Sequence, residues 1–267
     1  VWRCGQCATC RSGAPYCPQM QVFGYTRGLD HGSGLHGGYG EYMEVPPNTH
    51  LVPLTDDVPA RELTVFEPLA SVINWFDRVA MQPGETVVVQ GPGHMGLTCA
   101  AYAKALGAGT VIVSGTDADA LRLEAALAVG ADHVVDVTTT PLTKAVAELT
   151  NGAMAHVAVD LTDAAVTVGG ALEVAAMGGR VLWAGLKNMS QVSMISDLVP
   201  LKGLTVVGGS GSTASSMDRA AALLNTRTFP TAALLGETFT LDTLDEAMGL
   251  LERTMPGRDA VRVGLEH

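Results

Sequence analysis

Short apolar runs alternate with helix-like stretches over most of the chain after residue 84. Runs such as TVVVQ and TVIVSG have the length of buried strands, and Ala- and Leu-rich stretches with helical spacing separate them. The runs are Val-rich and apolar on both faces, which is typical of parallel strands covered by helices on both sides. The pattern predicts an α/β fold built on a doubly wound parallel sheet.

The elements follow one another in regular alternation. The predicted strands are ETVVVQ, TVIVSG, HVVDV, HVAVDL, GGRVLWAG, GLTVVGG and a closing AVRVGL. The predicted helices between and after them are LTCAAYAKALGA, ADALRLEAALAVGA, TKAVAELT, AAVTVGGALEVAAM and LDEAMGLLERTM.

The first part of the chain, to about residue 68, has a different pattern. It is rich in Gly, Pro and aromatic residues and shows little helical periodicity. Residues 36–58, HGGYGEYMEVPPNTHLVPLTDDV, alternate short apolar stretches with turn residues. This alternation predicts antiparallel strands.

Composition and charge narrow the class of protein. With 267 residues and 47% hydrophobic content, the chain is long enough for one large globular domain or two ordinary ones. Lys and Arg number 16 against 27 Asp and Glu, a net charge of −11. Such a field repels nucleic acid and anionic lipid, so neither is an expected partner. The apolar runs also stop short of the ~20 residues of a membrane span. The closing 265–267 resembles the start of an expression tag.

A glycine-rich turn lies between the first predicted strand and the first helix after it. Gly91, Gly93 and Gly96 fit G-x-G-x-x-G, with His94 and Met95 inside the motif. In this context the motif predicts a dinucleotide site: one glycine makes the turn, one admits the pyrophosphate, and one allows close helix packing. His94 either contacts phosphate or is a solvated turn residue.

Two interpretations of the end of the next predicted strand, TVIVSG, leave both NAD and NADP as candidate coenzymes. Asp117 lies about 20 residues beyond Gly96, where an acid usually binds the ribose hydroxyls of NAD. Strand register instead places Gly115 at the tip, which leaves room for a 2′-phosphate with Thr116 as a donor. NADP sites usually include an arginine, but Arg122 is expected to be a solvated helix residue.

Four of the five cysteines lie within the first seventeen residues; the fifth, Cys99, lies in an apolar stretch. The C-x2-C-x2-C-x6-C spacing predicts tetrahedral Zn²⁺ in a closed, structural site. An iron–sulfur cluster is the rival prediction, because a Cys-Pro pair ends the run, although ferredoxins space the last cysteine differently. In an apparently cytoplasmic chain, metal or redox chemistry is favoured over disulfides. The four predicted zinc ligands are Cys4, Cys7, Cys10 and Cys17.

Together these motifs resemble the zinc-containing medium-chain dehydrogenase/reductase family. CGQCATCRSG…YC is similar to its structural-zinc lobe, HGGYGEYMEVP to a strand pair of its catalytic domain, and FEPLASV to the segment before its coenzyme domain. The resemblance implies a partial GroES-like, β-rich catalytic domain over 1–69, a Rossmann domain over 70–212, and a segment 213–267 that returns to the catalytic domain.

The resemblance also assigns roles to three further residues. Glu67 matches an acidic ligand of a second, catalytic zinc; the alternative is a hydrogen-bonded carboxylate at a helix start. Arg262 matches an arginine that contacts the coenzyme pyrophosphate; the alternative is a surface charge on a strand. Ser71, one helical turn beyond Glu67, matches a residue near the nicotinamide.

The resemblance implies a zinc-dependent dehydrogenase that transfers hydride between an alcohol or polyol and NAD or NADP. The family's other catalytic-zinc ligands and its proton relay precede the cysteine lobe, so we expect that this chain alone does not assemble that site. His31, His36 and His50 are predicted to be loop histidines. A catalytically silent dinucleotide-binding sensor or scaffold is the alternative function; the cysteine lobe and Glu67 argue against a zinc-free quinone reductase. A cytoplasmic homodimer or homotetramer is expected.

Overall fold

The computed structural model describes residues 3–12, 17–23, 25–26, 28–47 and 49–266. His267, the last residue of the predicted tag, lies outside these ranges. None of the helices within them is both long and apolar enough to cross a lipid bilayer.

Six parallel strands form the main sheet in the order β3-β2-β1-β4-β5-β6. Every neighbouring pair is parallel, and Val88 of the first strand faces Ile112 of the second. The predicted doubly wound α/β fold is therefore confirmed. The strands are β1 Thr86–Gln90, β2 Thr110–Gly115, β3 His133–Asp136, β4 Ala155–Asp160, β5 Ala175–Trp183 and β6 Thr205–Gly208.

Helices cover both faces of this sheet. The helices of the described residues are α1 Ala8–Arg11, α2 Ala60–Leu63, α3 Phe66–Val79, α4 His94–Ala105, α5 Ala120–Ala128, α6 Leu142–Leu149, α7 Val166–Val174, α8 Leu198–Lys202, α9 Ala214–Asn225, α10 Thr231–Leu234 and α11 Leu244–Leu251.

Alternate residues of each strand point into two separate cores. Val87 and Val89 pack with α3, α4, α5 and α9, whereas Val88 packs with α6 and α7 on the opposite face. All three valines are completely buried. Because both faces need apolar side chains, the strands read as continuous apolar runs without polar alternation.

The antiparallel strands predicted for residues 36–58 are wrong for the part of this segment that the structure describes, which contains turns and bends. One backbone hydrogen bond joins its early part to the residue just before it, from Glu44 N to Leu35 O at 2.9 Å. Tyr39 and Tyr42 are 69% and 76% exposed. A ladder needs a paired neighbour and a buried face, and the described residues supply neither here.

The chain closes with a second, two-stranded parallel sheet. Strand β7, Thr238–Thr240, pairs with β8, Gly264–Glu266. The strand predicted over AVRVGL therefore begins later than expected, and Arg262 lies just before it. Helices α1, α2, α8, α9 and α10 and strand β7 were not among the predicted elements.

Candidate functional site

The three glycines of the turn meet three different environments. Gly91 has φ +101°, and a Cβ placed there lies 2.9 Å from Thr162 Cγ2. A Cβ on Gly96 lies 1.9 Å from the Gly91 carbonyl oxygen, so only glycine lets helix α4 start this close to β1. A Cβ on Gly93 meets no atom within 4 Å. Gly93 therefore leaves open space beside the start of the helix.

A cleft of about 850 Å³ opens at the carboxyl ends of the central strands. Gly91 and Gly93 line it after β1, Gly115 and Thr116 after β2, and Thr162 after β4. The chain leaves β1 toward β2 and β3 and returns on the other side at β4. The cleft thus lies at the point where the strand order reverses, which is where open α/β sheets bind ligands.

The remaining predicted coenzyme residues lie around the cleft and do not line it. Met95 packs against the hydrophobic core, and Gly96 is buried behind the turn. Asp117 is exposed and accepts a hydrogen bond from Ala118 N at 2.9 Å. Of the candidates for the ribose 2′ position, Gly115 and Thr116 border the cleft and Asp117 does not.

The structure adds four charged residues at this end of the cleft. Arg122 is not a solvated helix residue as expected: its side chain is 15% exposed and binds both oxygens of Asp259. Arg253 contacts Asp119 at 2.6 Å and Asp259 at 3.2 Å. Asp119, Arg122 and Arg253 line the cleft. Sequence reasoning missed Arg253 and Asp259 because they come from a distant segment, and Asp119 because strand-end counting selects earlier positions.

His94 lies within the glycine turn, and the charge of Arg262 acts on it. His94 is the first residue of α4. Desolvation lowers the pKa of His94, and the nearby charges of Arg262 and Arg122 lower it further. Desolvation also lowers the pKa of Arg262, while the charge of Glu67 acts in the opposite direction. Arg262 donates a hydrogen bond to the Thr64 carbonyl.

Glu67 lies in the first turn of α3 and is exposed, in the position of the carboxylate at a helix start that was its alternative role. Ser71 Oγ donates a hydrogen bond to Glu67 Oε1 at 2.8 Å, a contact between residues four apart on α3 in which Ser71 is buried. The described residues bring no group of three potential metal ligands around Glu67. The described residues alone therefore do not assemble a catalytic zinc site around it.

The four early cysteines converge on one point. Their sulfur atoms all lie within 4.8 Å of one another, with Cys4 and Cys17 at 3.6 Å and two other pairs at 3.9 Å. Tetrahedral Zn²⁺ with Zn–S bonds of about 2.3 Å places sulfurs about 3.8 Å apart. All four thiols are free of disulfide bonds. The arrangement therefore fits a zinc ion held by four protein ligands.

Backbone amides point at these sulfurs. Cys4 Sγ accepts from Cys7 N and Cys7 Sγ from Cys10 N, both at 3.4 Å. Hydrogen bonds from the backbone N–H groups of Gln6 and Cys7 lower the pKa of Cys4 to about 6. A lowered pKa favours the thiolate, which is the form that binds metal.

The predicted loop histidines lie in loops within the described ranges. His31 pairs with Asp30 at 3.0 Å, and His50 with Asp218 at 2.8 Å. His36 is buried, and its Nε2 lies 2.6 Å from the His31 carbonyl oxygen.

Comparisons of this chain with known proteins all point to one family. A family model described as zinc-binding dehydrogenase matches residues 95–226. A probable alcohol dehydrogenase of Mycobacterium tuberculosis is 35% identical over 240 residues, covering 86% of this chain and 65% of that protein. A sorbitol dehydrogenase of Halalkalibacterium halodurans is 28% identical, covering 91% of this chain and 68% of that protein.

Comparison with solved structures agrees with the sequence comparisons. The crystal structure of an alcohol dehydrogenase from Thermotoga maritima superposes with a TM-score of 0.89 at 25% identity, covering 99% of this chain and 74% of that one. The chain thus spans about two thirds to three quarters of the length of these proteins. The sheet, the glycine turn, the cysteine lobe and these similarities agree, and the chain belongs to the zinc-containing medium-chain dehydrogenase/reductase family.

Proposed function

We propose that this chain binds NAD(H) or NADP(H) in the cleft and belongs to a dehydrogenase that acts on alcohols or polyols. The observation that carries the proposal is the open space at Gly93, beside the first turn of α4 and inside the cleft. The names of the relatives, alcohol dehydrogenase and sorbitol dehydrogenase, support the substrate class.

The chain's own part in the reaction is to hold and orient the coenzyme. The first N–H groups of α4 have no partner within the helix, and the helix dipole makes this end positive. Gly93 lets a pyrophosphate approach those groups, as in other folds with this turn. His94, which lies within the turn, and Arg262, whose charge acts on His94, are proposed to contact the pyrophosphate. When bound, the nicotinamide supplies the hydride acceptor or donor.

The cysteine lobe is proposed to hold a structural zinc. Four protein ligands complete a tetrahedral shell, which leaves no position for water or substrate. The ion would supply a fixed cross-link between Cys4 and Cys17, in a segment whose described residues form only the short helix α1. Glu67 remains a predicted ligand of a catalytic zinc.

A homodimeric or homotetrameric, cytoplasmic enzyme stays part of the proposal. Strand β6 pairs only with β5 within the described ranges, so its outer edge offers unpaired backbone groups to another subunit. Sedimentation velocity tests this assembly; a monomer at all concentrations would contradict it.

Calorimetric titration with NADH and NADPH tests the coenzyme site. Gly93→Ala is expected to weaken binding at least about tenfold, because the methyl group fills space needed by the pyrophosphate. Gly38→Ala is the matched control, since a Cβ there also meets no atom within 4 Å but Gly38 does not line the cleft. Absence of binding by either coenzyme would overturn the proposal. Binding without any alcohol- or polyol-dependent reduction of NAD(P)⁺ by the whole protein would favour a silent, dinucleotide-binding role.

A further inference from the structure

Gln90, the last residue of β1, places a buried amide at the carboxyl end of the sheet. Val88, two residues earlier on the same face of the strand, is completely buried and packs with α6 and α7. Gln90 is 4% exposed and lines the cleft. Burying an amide costs free energy unless its polar atoms find partners, so the hydrogen bonds of this side chain decide what it does.

One hydrogen bond fixes the orientation of this amide. Gln90 Nε2 donates to the Thr167 carbonyl oxygen at 3.0 Å. A reversed amide would place its own oxygen against that carbonyl, so the bond distinguishes the nitrogen from the oxygen. Within the described residues Oε1 accepts no hydrogen bond, and the atom remains accessible. Gln90 therefore provides an oriented, unused acceptor in the wall of the cleft.

Gly170 of α7 keeps this oxygen uncovered. A Cβ placed on Gly170 lies 2.9 Å from Gln90 Oε1, which is too close for an ordinary contact. Gly170 lines the cleft, whereas its neighbour Gly169 does not. Glycine is a poor residue for the interior of a helix, but at position 170 it leaves the acceptor open to a ligand.

Apolar side chains from two parts of the fold line this side of the cleft. They come from the segment after β3, from the start of α6 and from α7, and they are Val137, Pro141, Leu142, Val166 and Val174. Val137 and Val166 are 39% and 78% exposed, so their apolar surface is uncovered. Apolar walls with one oriented acceptor suit a flat heteroaromatic ring that carries an N–H donor on its edge.

We propose that Gln90 Oε1 accepts a hydrogen bond from the 6-amino group of the coenzyme's adenine and so selects adenine over 6-oxopurines. The inference rests on the proposed coenzyme site. With the pyrophosphate at the glycine turn, the adenosine half lies on the side of β2 and β3, since the end of the second strand contacts its ribose in this fold. A 6-oxopurine brings a carbonyl oxygen against Oε1, and Gln90 cannot reverse its amide without losing the bond to Thr167.

Calorimetric titration tests the proposal with two ligands. One is NAD⁺ or NADP⁺, whichever binds more tightly, and the other is its hypoxanthine analogue, in which an oxygen replaces the 6-amino group. The unmodified chain is expected to bind the adenine form about tenfold more tightly, because the analogue leaves two acceptors facing each other. Gln90→Met keeps the length of the side chain and removes the amide, and is expected to bind the two ligands within about twofold of each other.

Two alanine substitutions on α7 test the acceptor without removing it. Gly170→Ala places a methyl group against Gln90 Oε1 and is expected to reduce the preference for adenine about fivefold. Gly169→Ala is the matched control, because a Cβ there meets only Met194 Cβ, at 3.8 Å, and residue 169 is outside the cleft. Gln82→Met is the control for the loss of an amide, since Gln82 is exposed and does not line the cleft. Both controls are expected to leave the preference unchanged.

The outcomes separate the role of Gln90 from the coenzyme site itself. Equal binding of the two ligands by the unmodified chain, or an undiminished preference in Gln90→Met, would overturn the role and leave the site standing. An equal loss of preference in Gly169→Ala and Gly170→Ala would also contradict it, because a general disturbance of α7 would then be the cause. If Gln90→Met does not fold, the unmodified chain and Gly170→Ala decide. Absence of binding by either ligand would overturn both proposals.

Discussion

Lys187 Nζ lies 2.9 Å from Asp160 Oδ2, and the Asp160 side chain is completely buried. Asp160 is the last residue of β4, and Lys187 follows β5. The ion pair therefore connects the carboxyl end of β4 to the segment that follows the neighbouring strand β5. The other carboxylate oxygen accepts from Thr167 Oγ1 at 2.9 Å, and Lys187 also donates to the Thr162 carbonyl. Both threonines line the cleft. The pair therefore fixes the floor of the proposed coenzyme site.

Removing the cation should strongly destabilise the fold. Lys187→Met leaves the Asp160 carboxylate buried without its partner, for which we expect a loss of about 3–5 kcal/mol in the free energy of unfolding. The double variant Lys187→Met/Asp160→Leu should recover much of this loss, because it removes both charges. Urea unfolding measures both.

Lys144 provides the control for this prediction. It pairs with Glu148 at 3.9 Å, and both side chains are 66% exposed. Lys144→Met should change the free energy of unfolding by less than about 0.5 kcal/mol. Equal losses at the two lysines would show that burial does not set the strength of the Asp160 pair.

Alanine substitutions at Gly96 and Gly93 should differ in their effect on the stability of the fold. Gly96→Ala forces a methyl group against the Gly91 carbonyl and should lower stability by about 3 kcal/mol or more. Gly93→Ala should cost less than about 1 kcal/mol, because its Cβ meets nothing. Thermal unfolding of the coenzyme-free chain measures both; a large loss at Gly93 would mean that this glycine is structural.

The amount of zinc bound by the chain should depend on the four clustered cysteines. Metal analysis of the purified chain is expected to give about one zinc per chain, because four thiolates complete one tetrahedral shell. Cys10→Ser should reduce this content and lower the unfolding midpoint. Cys99→Ala is the control: its thiol is completely buried within α4, apart from the cluster, and its loss should leave zinc unchanged. Iron and visible absorption in place of zinc would support the iron–sulfur alternative.

Acid should weaken the contact between Asp259 and its arginines. Desolvation raises the pKa of Asp259, but hydrogen bonding and charge from Arg122 and the charge of Arg253 lower it overall. A depressed folded-state pKa contributes stability that is present above the unfolded value of about 3.9 and is lost as pH falls through the folded value. Asp259→Asn should therefore flatten the decline in stability below about pH 4.

Arg122→Met checks the cause of this pH dependence. It removes the main partner of Asp259, so stability should fall at pH 7 and its dependence on pH should become flatter in the same acidic window. Urea unfolding between pH 3 and pH 7 measures both effects. An undiminished acid slope in both variants would contradict the assignment to this pair.

The sequence by itself determined the parallel sheet, the position of the glycine turn and the set of four neighbouring cysteines. These features are local: strand burial fixes the apolar runs, a sterically forced contact fixes Gly96, and short spacing lets the thiols meet. Each can be recognised from residues that lie close together in the chain.

Only the tertiary structure decided which charged residues meet at the cleft. Arg122 and Asp259 are 137 positions apart, and no periodicity or spacing predicts that they pair. Spacing selected Asp117, but the turn after β2 directs the carboxylate of Asp119 into the space beside Gly115. The antiparallel strands predicted for residues 36–58 do not form in the described residues. A strand needs a partner strand to pair with, and a local sequence pattern does not specify one. Long-range electrostatic interactions and strand pairing depend on the folded arrangement. Backbone sterics and burial periodicity, in contrast, can be recognised in the local sequence.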